Sequence, residues 1–200
     1  MKKVVVHPER CVGCMQCMLA CAVAHSRTKS LFGATLEHPR PRPRIHVGTG
    51  PANAGFPNRC RHCNPAPCLA ACLPGAIFRD EYREHVLIDP DIRINCASCA
   101  MACPFGVLRF HQDFTAPPNK DVALKCDNCE QRQDQGLIPA CVEMCKVGAL
   151  TFEEMDEALR RKTDEVSHSV IEGSELPSGG SANYTLLKKV KKAQSELVRR

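Results

Sequence analysis

Apolar residues in this chain occur in short runs separated by polar, proline-rich or cysteine-rich segments. Runs of three or four residues that favour extended structure predict brief strands. They are Lys3–Val6, Ala76–Phe78, Val86–Ile88, Val107–Phe110 and Ala149–Phe152. No run approaches the ~18–20 apolar residues that cross a bilayer, and the valines after Lys3 are too few for a secretory signal. We therefore expect a cytoplasmic protein.

The composition argues against a large apolar core. Hydrophobic residues make up 44% of the 200-residue chain, but 15 of them are cysteines. Without these about 37% remains, below the ~45–50% of ordinary globular chains. Trp is absent, and 15 Pro with 12 Gly limit long helices and strands. The cysteines are thus the residues most able to hold the fold together, and in a reducing cytoplasm they indicate bound metal rather than disulfides.

The cysteines fall into four groups that share a pattern. The groups are Cys11, Cys14, Cys17 and Cys21; Cys60, Cys63, Cys68 and Cys72; Cys96, Cys99 and Cys103; and Cys126, Cys129, Cys141 and Cys145. In each group the last two cysteines are four residues apart, about one helical turn. A glycine follows three residues later in three groups, at Gly75, Gly106 and Gly148. This repeat predicts a loop with the first cysteines, a short helix with the last one, and a glycine that ends the helix before a strand. The first group has Ala24 instead, so its helix is expected to continue through His25.

The spacing also indicates the metal. Three thiolates within seven residues, at Cys11, Cys14 and Cys17, can bind three corners of one cluster, while a helix carries the fourth cysteine away. The bacterial C-x2-C-x2-C-x3-C run works in this way, and its last cysteine binds the neighbouring cluster. Structural zinc takes two C-x2-4-C pairs separated by a longer loop. The second or the fourth group, considered by itself, could be mistaken for such a site. The repeat as a whole favours iron–sulfur clusters, with zinc or unbound thiols as alternatives.

With these groups, and a long gap inside the fourth, residues 1–158 resemble a known family. It comprises the four-cluster ferredoxin-like electron-transfer subunits of dimethyl sulfoxide reductase, formate dehydrogenase and nitrate reductase. Cys-Ala-Val-Ala-His-Ser at 21–26 and Pro-Arg-Pro-Arg-Ile-His at 41–46 are most similar to the iron–sulfur electron-transfer protein of carbon monoxide dehydrogenase. The resemblance implies electron transfer without substrate chemistry, so no catalytic residue is expected.

The family implies that the first group pairs with the fourth and the second with the third. Carried to this chain, the pairing gives four ligand sets, which we name sites A to D. Site A is Cys11, Cys14, Cys17 and Cys145; site B is Cys126, Cys129, Cys141 and Cys21; site C is Cys60, Cys63, Cys68 and Cys103; site D is Cys96, Cys99 and Cys72. Sites A, B and C are each expected to hold a [4Fe-4S] cluster.

Site D lacks one cysteine, because the position where the family has it is Arg93. A guanidinium has no acceptor and stays protonated, so it is not a plausible iron ligand. Three thiolates suit a [3Fe-4S] cluster, which the nitrate reductase subunits hold at this position. One alternative is a [4Fe-4S] cluster with water or an oxygen ligand from Asp89, Asp91 or Asn95, and another is a degenerate or absent cluster.

The pairing implies an α+β, loop-rich fold of two nested bacterial-type (2×[4Fe-4S]) ferredoxin units. The outer unit is about 1–24 plus 120–158 and the inner unit about 55–115, within a domain of residues 1–162. Residues 25–54 are a long connection that prolines are expected to make partly irregular. A flexible linker and a basic helix are expected over 163–200, the helix at Tyr184–Arg200 with a net charge of +5. That helix is predicted to lie on a membrane, on a partner or on its own domain.

Residues 25–62 carry a net charge of +6. Their basic side chains either neutralise buried clusters or form a docking surface for an acidic partner. Nucleic-acid binding is not expected, because no aromatic residues alternate with the charges.

The expected function is relay of electrons through four clusters from a catalytic oxidoreductase partner, with carbon monoxide dehydrogenase favoured, to a hydrogenase or other reductase. One alternative is an electron-transfer subunit of a molybdenum or tungsten oxidoreductase or hydrogenase complex. An alternative of another class is a zinc-stabilised binding or scaffold protein.

Overall fold

A computed structural model of the chain describes residues 2–50, 55–114 and 121–171. The strands are β1 (Lys2–Val6), β2 (Ile45–Thr49), β3 (Gly55–Arg59), β4 (Ile77–Arg79), β5 (Val86–Ile88), β6 (Arg109–Gln112), β7 (Asp121–Leu124) and β8 (Leu150–Glu154). The helices are α1 (Gln16–Ala24), α2 (Leu31–Leu36), α3 (Pro67–Ala70), α4 (Ser98–Ala102), α5 (Glu130–Asp134), α6 (Ala140–Glu143) and α7 (Met155–Ile171). These short elements and the loops between them confirm the predicted α+β, loop-rich class.

The strands associate in pairs: β1 with β8, β2 with β3, β4 with β5, and β6 with β7. The last three pairs are antiparallel and only three to five residues long. In the β2–β3 pair Val47 lies opposite Pro57, which has no N–H group. The Val47 N–H donates to Sδ of Met18 in α1, at 3.3 Å. A two-stranded ladder is marginally stable by itself, so each pair depends on what packs beside it.

All five predicted strands are present, with ends that differ from the prediction by at most two residues. The repeat is also present. Gly75, Gly106 and Gly148 have φ angles of 72°, 57° and 64°, in the left-handed region that favours glycine. The N–H of each glycine donates to the carbonyl oxygen of the group's last cysteine, at 3.2 Å in all three cases. The next-to-last cysteine of each of these three groups therefore lies in a short helix, and the turn after that helix fixes the last one.

The first group differs as expected from Ala24. Helix α1 continues to Ala24 and His25 caps it, so Cys17 and Cys21 both lie on the same helix. The two thiols are one helical turn apart and both are buried.

The connection over 25–54 is partly irregular as predicted, since residues 37–44 form neither helix nor strand. It also contains α2 and the β2 strand, which pairs with β3 in a hairpin. One prediction needs correction. Residues 163–171 are not a linker, since α7 continues through them to Ile171. The rest of the predicted linker and the predicted basic helix lie outside the described residues.

The described residues divide into a compact unit within residues 6–152, a range that holds all 15 cysteines, and a second unit of residues 2–5 and 153–171. The larger apolar cluster of the first unit consists of small and medium side chains: Ala66, Ile77, Val86, Cys99, Leu108 and Ala123. In the second unit Arg161 of α7 pairs with Glu153 at 2.5 Å. No helix in the described part of the chain is long and apolar enough to cross a membrane.

Candidate metal centre

The structure brings the four thiols predicted for site A to one place. They line a small cavity of about 20 Å³ with largely apolar walls, and they are Cys11, Cys14, Cys17 and Cys145. Burial raises the pKa of Cys17 to about 11, and the nearby Cys145 thiol adds to the effect. The first and fourth groups therefore meet at this site, although they lie at opposite ends of the cysteine-rich region.

Site B is also assembled from two groups. Burial raises the pKa of Cys21 well above its ordinary value, and the thiols of Cys126, Cys129 and Cys141 raise it further. Burial likewise raises the pKa of Cys141 to about 12, with contributions from Cys126, from Cys129 and from Cys17 of site A. Helix α1 thus delivers Cys21 to the loops of the fourth group and places site B beside site A.

Site C joins the second and third groups. Burial raises the pKa of Cys68, and the nearby thiols of Cys60 and Cys103 contribute. Cys63 is half-buried, and both it and Cys60 lie close enough to Arg61 to act to raise the pKa of that guanidinium. Cys60 also packs in one apolar cluster with Cys126 of site B, so sites B and C are neighbours.

Site D has three thiols and a guanidinium. A cavity of about 20 Å³ is lined by Cys72, Cys96, Cys99 and Arg93. Burial raises the pKa of Cys99, and this is opposed by Arg93 and reinforced by Cys72. Cys72 and Cys99 pack in the same cluster as Cys68 and Cys103, which sets site D beside site C.

The backbone around Arg93 has the conformation of a cysteine loop. In the first group, the residues two and four positions after Cys11 are Gly13 and Met15, with φ angles of 69° and 59°. The residues two and four positions after Arg93 are Asn95 and Ala97, with φ angles of 56° and 61°. The loop geometry is thus retained where the first cysteine is missing.

The Arg93 side chain is 9% exposed and lies over the Phe110 ring, 5.4 Å from its centre. Its Nη1 is buried without a hydrogen-bond partner among the described residues. Of the oxygen donors suggested by the sequence, Asn95 lines the cavity, whereas the described lining includes neither Asp89 nor Asp91. The Asp89 carboxylate instead accepts a hydrogen bond from the Asp91 N–H, at 2.9 Å.

The surroundings of the thiols fit an iron–sulfur cluster. Backbone N–H groups of His62, Asn128 and Arg44 point to cysteine sulfurs: Cys60 at 3.4 Å, Cys126 at 3.4 Å and Cys21 at 3.2 Å. N–H donors to ligand sulfur, together with burial, stabilise such clusters and tune their potentials. The cysteines of sites A to D would hold the clusters, and the clusters would supply the one-electron chemistry.

His25 links two elements around site B. Its Nδ1 donates to the Cys21 carbonyl oxygen at 2.7 Å, and its Nε2 lies 3.1 Å from Oδ1 of Asp127. Asp127 also pairs with Arg44, whose Nη1 is 2.6 Å from Oδ2. Although burial would raise the pKa of Asp127, its hydrogen bond and charge contact with His25 hold that pKa far below the ordinary value. His25 is the C-cap of α1, and its ring also links α1 to the loop of the fourth group.

Two buried cations beside the cysteines were not singled out as individual residues by the sequence analysis. Arg59 is 3% exposed and Lys125 4% exposed. The Nη2 of Arg59 donates to Sγ of Cys126 at 3.3 Å, and Lys125 donates to the Val86 and Cys126 carbonyl oxygens. Their positions in the sequence could have indicated them, because each cation immediately precedes the first cysteine of its group.

The ring of His62 lies between site C and β5, and its Nδ1 accepts a hydrogen bond from the Val86 N–H at 3.0 Å. Burial, reinforced by Lys125 and Arg59, lowers the pKa of His62 to about 2, so the ring is neutral. Its role is to support the loop between Cys60 and Cys63.

Gly55 allows β3 to lie directly against the site A loop. A Cβ at this position would stand 2.7 Å from Sγ of Cys11 and 2.8 Å from the Gly13 nitrogen. We expect Gly55→Ala to displace Cys11 and lower the iron content by up to about one cluster, or about four irons per chain. Gly48→Ala, in the other strand of the same hairpin, is the matched control, because its Cβ would meet only the Phe56 carbonyl oxygen at 4.0 Å. Equal iron contents in the two variants would show that the close approach is unimportant.

Comparison with known proteins places the sequence among iron–sulfur proteins. A family described as a 4Fe-4S dicluster domain matches residues 51–155. Electron transport protein HydN of Escherichia coli K12 is 32% identical over 175 residues, covering 80% of this chain and 95% of HydN. Protein NrfC of the same strain is 36% identical over 156 residues, covering 76% of this chain and 65% of NrfC.

UacF of Escherichia coli K12 is 36% identical over 168 residues, which cover 81% of this chain. The match spans only about a quarter of UacF, 24% of its length, and about two thirds of NrfC. The matched family covers the second, third and fourth cysteine groups, and HydN is matched over nearly its whole length. This chain therefore belongs to the ferredoxin-like family of 4Fe-4S dicluster domain proteins.

Proposed function

We propose that this chain is an electron-transfer protein in which iron–sulfur clusters at sites A, B, C and D form a single series. The observation that carries the proposal is the proximity of the thiols of successive sites. Between sites A and B, the thiol of Cys17 is close enough to raise the pKa of Cys141. Between sites B and C, Cys60 packs with Cys126. Cysteines of sites C and D share one apolar cluster. Electrons would enter at one end of this series and leave at the other, without substrate chemistry in the chain itself.

The first test is the metal content and redox response of the anaerobically purified chain. We expect about 15 irons and about 16 acid-labile sulfides per chain, and visible absorption that dithionite bleaches and an oxidant restores. Zinc with little iron would overturn the proposal and favour a zinc-stabilised binding or scaffold protein. The match to the 4Fe-4S dicluster domain over residues 51–155 supports iron rather than zinc.

For the electron donor we propose carbon monoxide dehydrogenase, on the resemblance of segments 21–26 and 41–46. Both segments lie at site B, where His25 and Arg44 contact Asp127. Carbon monoxide with active enzyme should then bleach the cluster absorption. Bleaching by dithionite but not by this enzyme would overturn the donor and leave electron transfer intact. Co-purification with a large molybdenum, tungsten or hydrogenase catalytic chain would instead favour a subunit of such a complex.

Apart from the half-buried Arg61, the basic residues over 25–62 divide into two sets in the structure. Arg59 is buried at the thiols and Arg44 is paired with Asp127. The exposed members are Arg27, Lys29, Arg40 and Arg42. We propose that the exposed set attracts an acidic face of the electron donor, whereas the buried set neutralises the clusters.

We expect Arg40→Glu with Arg42→Glu to lower the second-order rate of reduction by the donor roughly tenfold at low salt. The loss should disappear above about 0.5 M salt, where the Debye length falls to a few ångströms. Stopped-flow bleaching of the cluster absorption measures the rate. The matched control is Arg160→Glu with Lys162→Glu, which makes the same charge change at exposed positions of α7. An equal loss in both pairs would point to net charge and not to a docking surface.

A further inference from the structure

We propose that Arg59 and Lys125 form a cationic junction between sites B and C, and that this junction raises the reduction potentials of the two inner clusters. The inference rests on the proposed function, since it requires clusters at both sites. The step concerned is the movement of one electron onto an inner cluster and then to its neighbour, with no bond formed or broken. Because that electron adds negative charge, a fixed cation close to the sulfurs stabilises the reduced form.

Arg59 directly contacts site B. Its Nη2 donates to Sγ of Cys126 at 3.3 Å and to Oδ1 of Asn128 at 2.8 Å. Burial alone would lower the pKa of Arg59, but the sulfurs of Cys126 and Cys141 raise it. A hydrogen bond from a guanidinium to ligand sulfur brings both a proton donor and a permanent charge to the cluster.

Arg59 also lies at site C, because it precedes Cys60 in the chain and the nearby Cys60 thiol helps to raise its pKa. Cys60, Cys126 and Val107 form one buried apolar cluster. The guanidinium is therefore close to ligands of both inner sites.

Lys125 supplies the second charge, on the side of site C. Its ammonium acts to lower the pKa of the Cys60 and Cys68 thiols, against the effect of burial. Its described hydrogen bonds run to the carbonyl oxygens of Val86 and Cys126, which are neutral. A buried ammonium held by neutral acceptors keeps its field available for a nearby anionic cluster.

The junction is held rigidly in a dry environment. Asn128, which accepts from Arg59, donates through Nδ2 to Nε2 of His85 at 3.0 Å, and the His85 ring packs 5.1 Å from that of His62. Water is largely excluded, so the charges act with little screening. Arg61 provides the contrast: it is half-buried and lies over the rings of Phe56 and Phe105, at 5.6 and 5.4 Å.

The test is a redox titration of the full chain, reduced stepwise with dithionite and followed by visible absorption and electron paramagnetic resonance. In Arg59→Gln the amide can still donate to sulfur but the charge is lost. We expect the ratio of reduced to oxidised inner cluster, at a fixed potential, to fall at least about tenfold, a shift of about 59 mV. Arg59→Lys should restore most of the ratio, and Arg61→Gln, the matched control, should change it about twofold or less.

Lys125→Met is a second neutral variant, at a residue whose described hydrogen bonds run to carbonyl oxygens. It should shift the ratio in the same direction. A neutral variant that keeps its full iron content and an unchanged inner midpoint would overturn the junction, as would an equal shift in Arg61→Gln. If neither neutral variant assembles its clusters, the charges serve assembly and the inference is wrong. Absence of iron from the unsubstituted chain would instead overturn the proposed function, which keeps the two failures distinct.

Discussion

Removal of iron from this chain is expected to abolish most of its folded structure. The cysteine-bearing unit is built from strand pairs of at most five residues and helices of at most nine, which are marginal in isolation. Its larger apolar cluster contains no aromatic residue among its fully buried members and includes two alanines and a cysteine. Metal–thiolate bonds would therefore supply the folding free energy that apolar burial supplies elsewhere.

Far-UV circular dichroism before and after anaerobic chelation measures this effect. We expect the strand and short-helix signal to be lost, while α7, which contains no cysteine, contributes any helical signal that remains. Loss of iron and loss of structure should follow the same time course. A chelated chain that keeps its spectrum and a cooperative thermal transition would show that apolar packing suffices.

Two cysteine variants test the same argument from inside the fold. Cys141 is 5% exposed, whereas Cys14 is exposed. In Cys141→Ser a hydroxyl replaces a buried ligand, which costs roughly 1–3 kcal/mol where no hydrogen bond compensates, and site B should lose about four irons. Cys14→Ser should lose only about one iron and stay folded, because water can solvate the hydroxyl at this exposed position and the three remaining thiols of site A can hold a three-iron cluster. Similar iron losses and melting temperatures in both variants would contradict this ranking.

The cysteine pattern predicted much of the architecture because it is a local signal with a long-range consequence. Spacing alone located the turns at Gly75, Gly106 and Gly148, where the structure has positive φ angles. The presence of Ala24 in place of glycine also predicted that α1 is longer than the other cysteine-bearing helices. The resemblance added which groups meet, and the structure brings the corresponding thiols together at Cys17 and Cys145 and at Cys21 and Cys141.

Features that depend on distant partners were not predictable in the same way. The β2 strand lies in a proline-rich connection and is extended because β3 pairs with it. Residues 163–171 are polar, a composition typical of a linker, but they continue a helix that begins at Met155. The run of positive charge over 25–62 gave no indication that Arg59 is buried at Cys126 while Arg40 is exposed, since burial is a property of the folded chain.

Replacement of Arg93 by cysteine is expected to convert the cluster of site D. The loop at Asn95 and Ala97 already has the φ pattern of the first group, so a thiol at position 93 needs little backbone movement. Relief of a buried guanidinium whose Nη1 has no hydrogen-bond partner among the described residues also favours the change. Iron should rise from about 15 to about 16 per chain, and the resonance of an oxidised three-iron cluster should disappear.

Arg93→Lys is the matched control, because it keeps a cation at the site and offers no thiolate. It should retain about 15 irons and the three-iron resonance. About 16 irons in the unsubstituted chain, without that resonance, would mean a four-iron cluster with an oxygen ligand. About 12 irons, unchanged in Arg93→Lys, would mean that site D is empty.

The two variants also separate the roles that Arg93 combines. Its charge acts on the thiols of Cys96 and Cys99, so removing it should lower the potential of the site D cluster, whereas adding a ligand changes the cluster type. Arg93→Met removes the charge without supplying a ligand, and should therefore keep the three-iron resonance while its midpoint moves to more negative potential. A midpoint that moves only when iron is gained, in Arg93→Cys, would show that the arginine matters as a missing ligand and not as a cation.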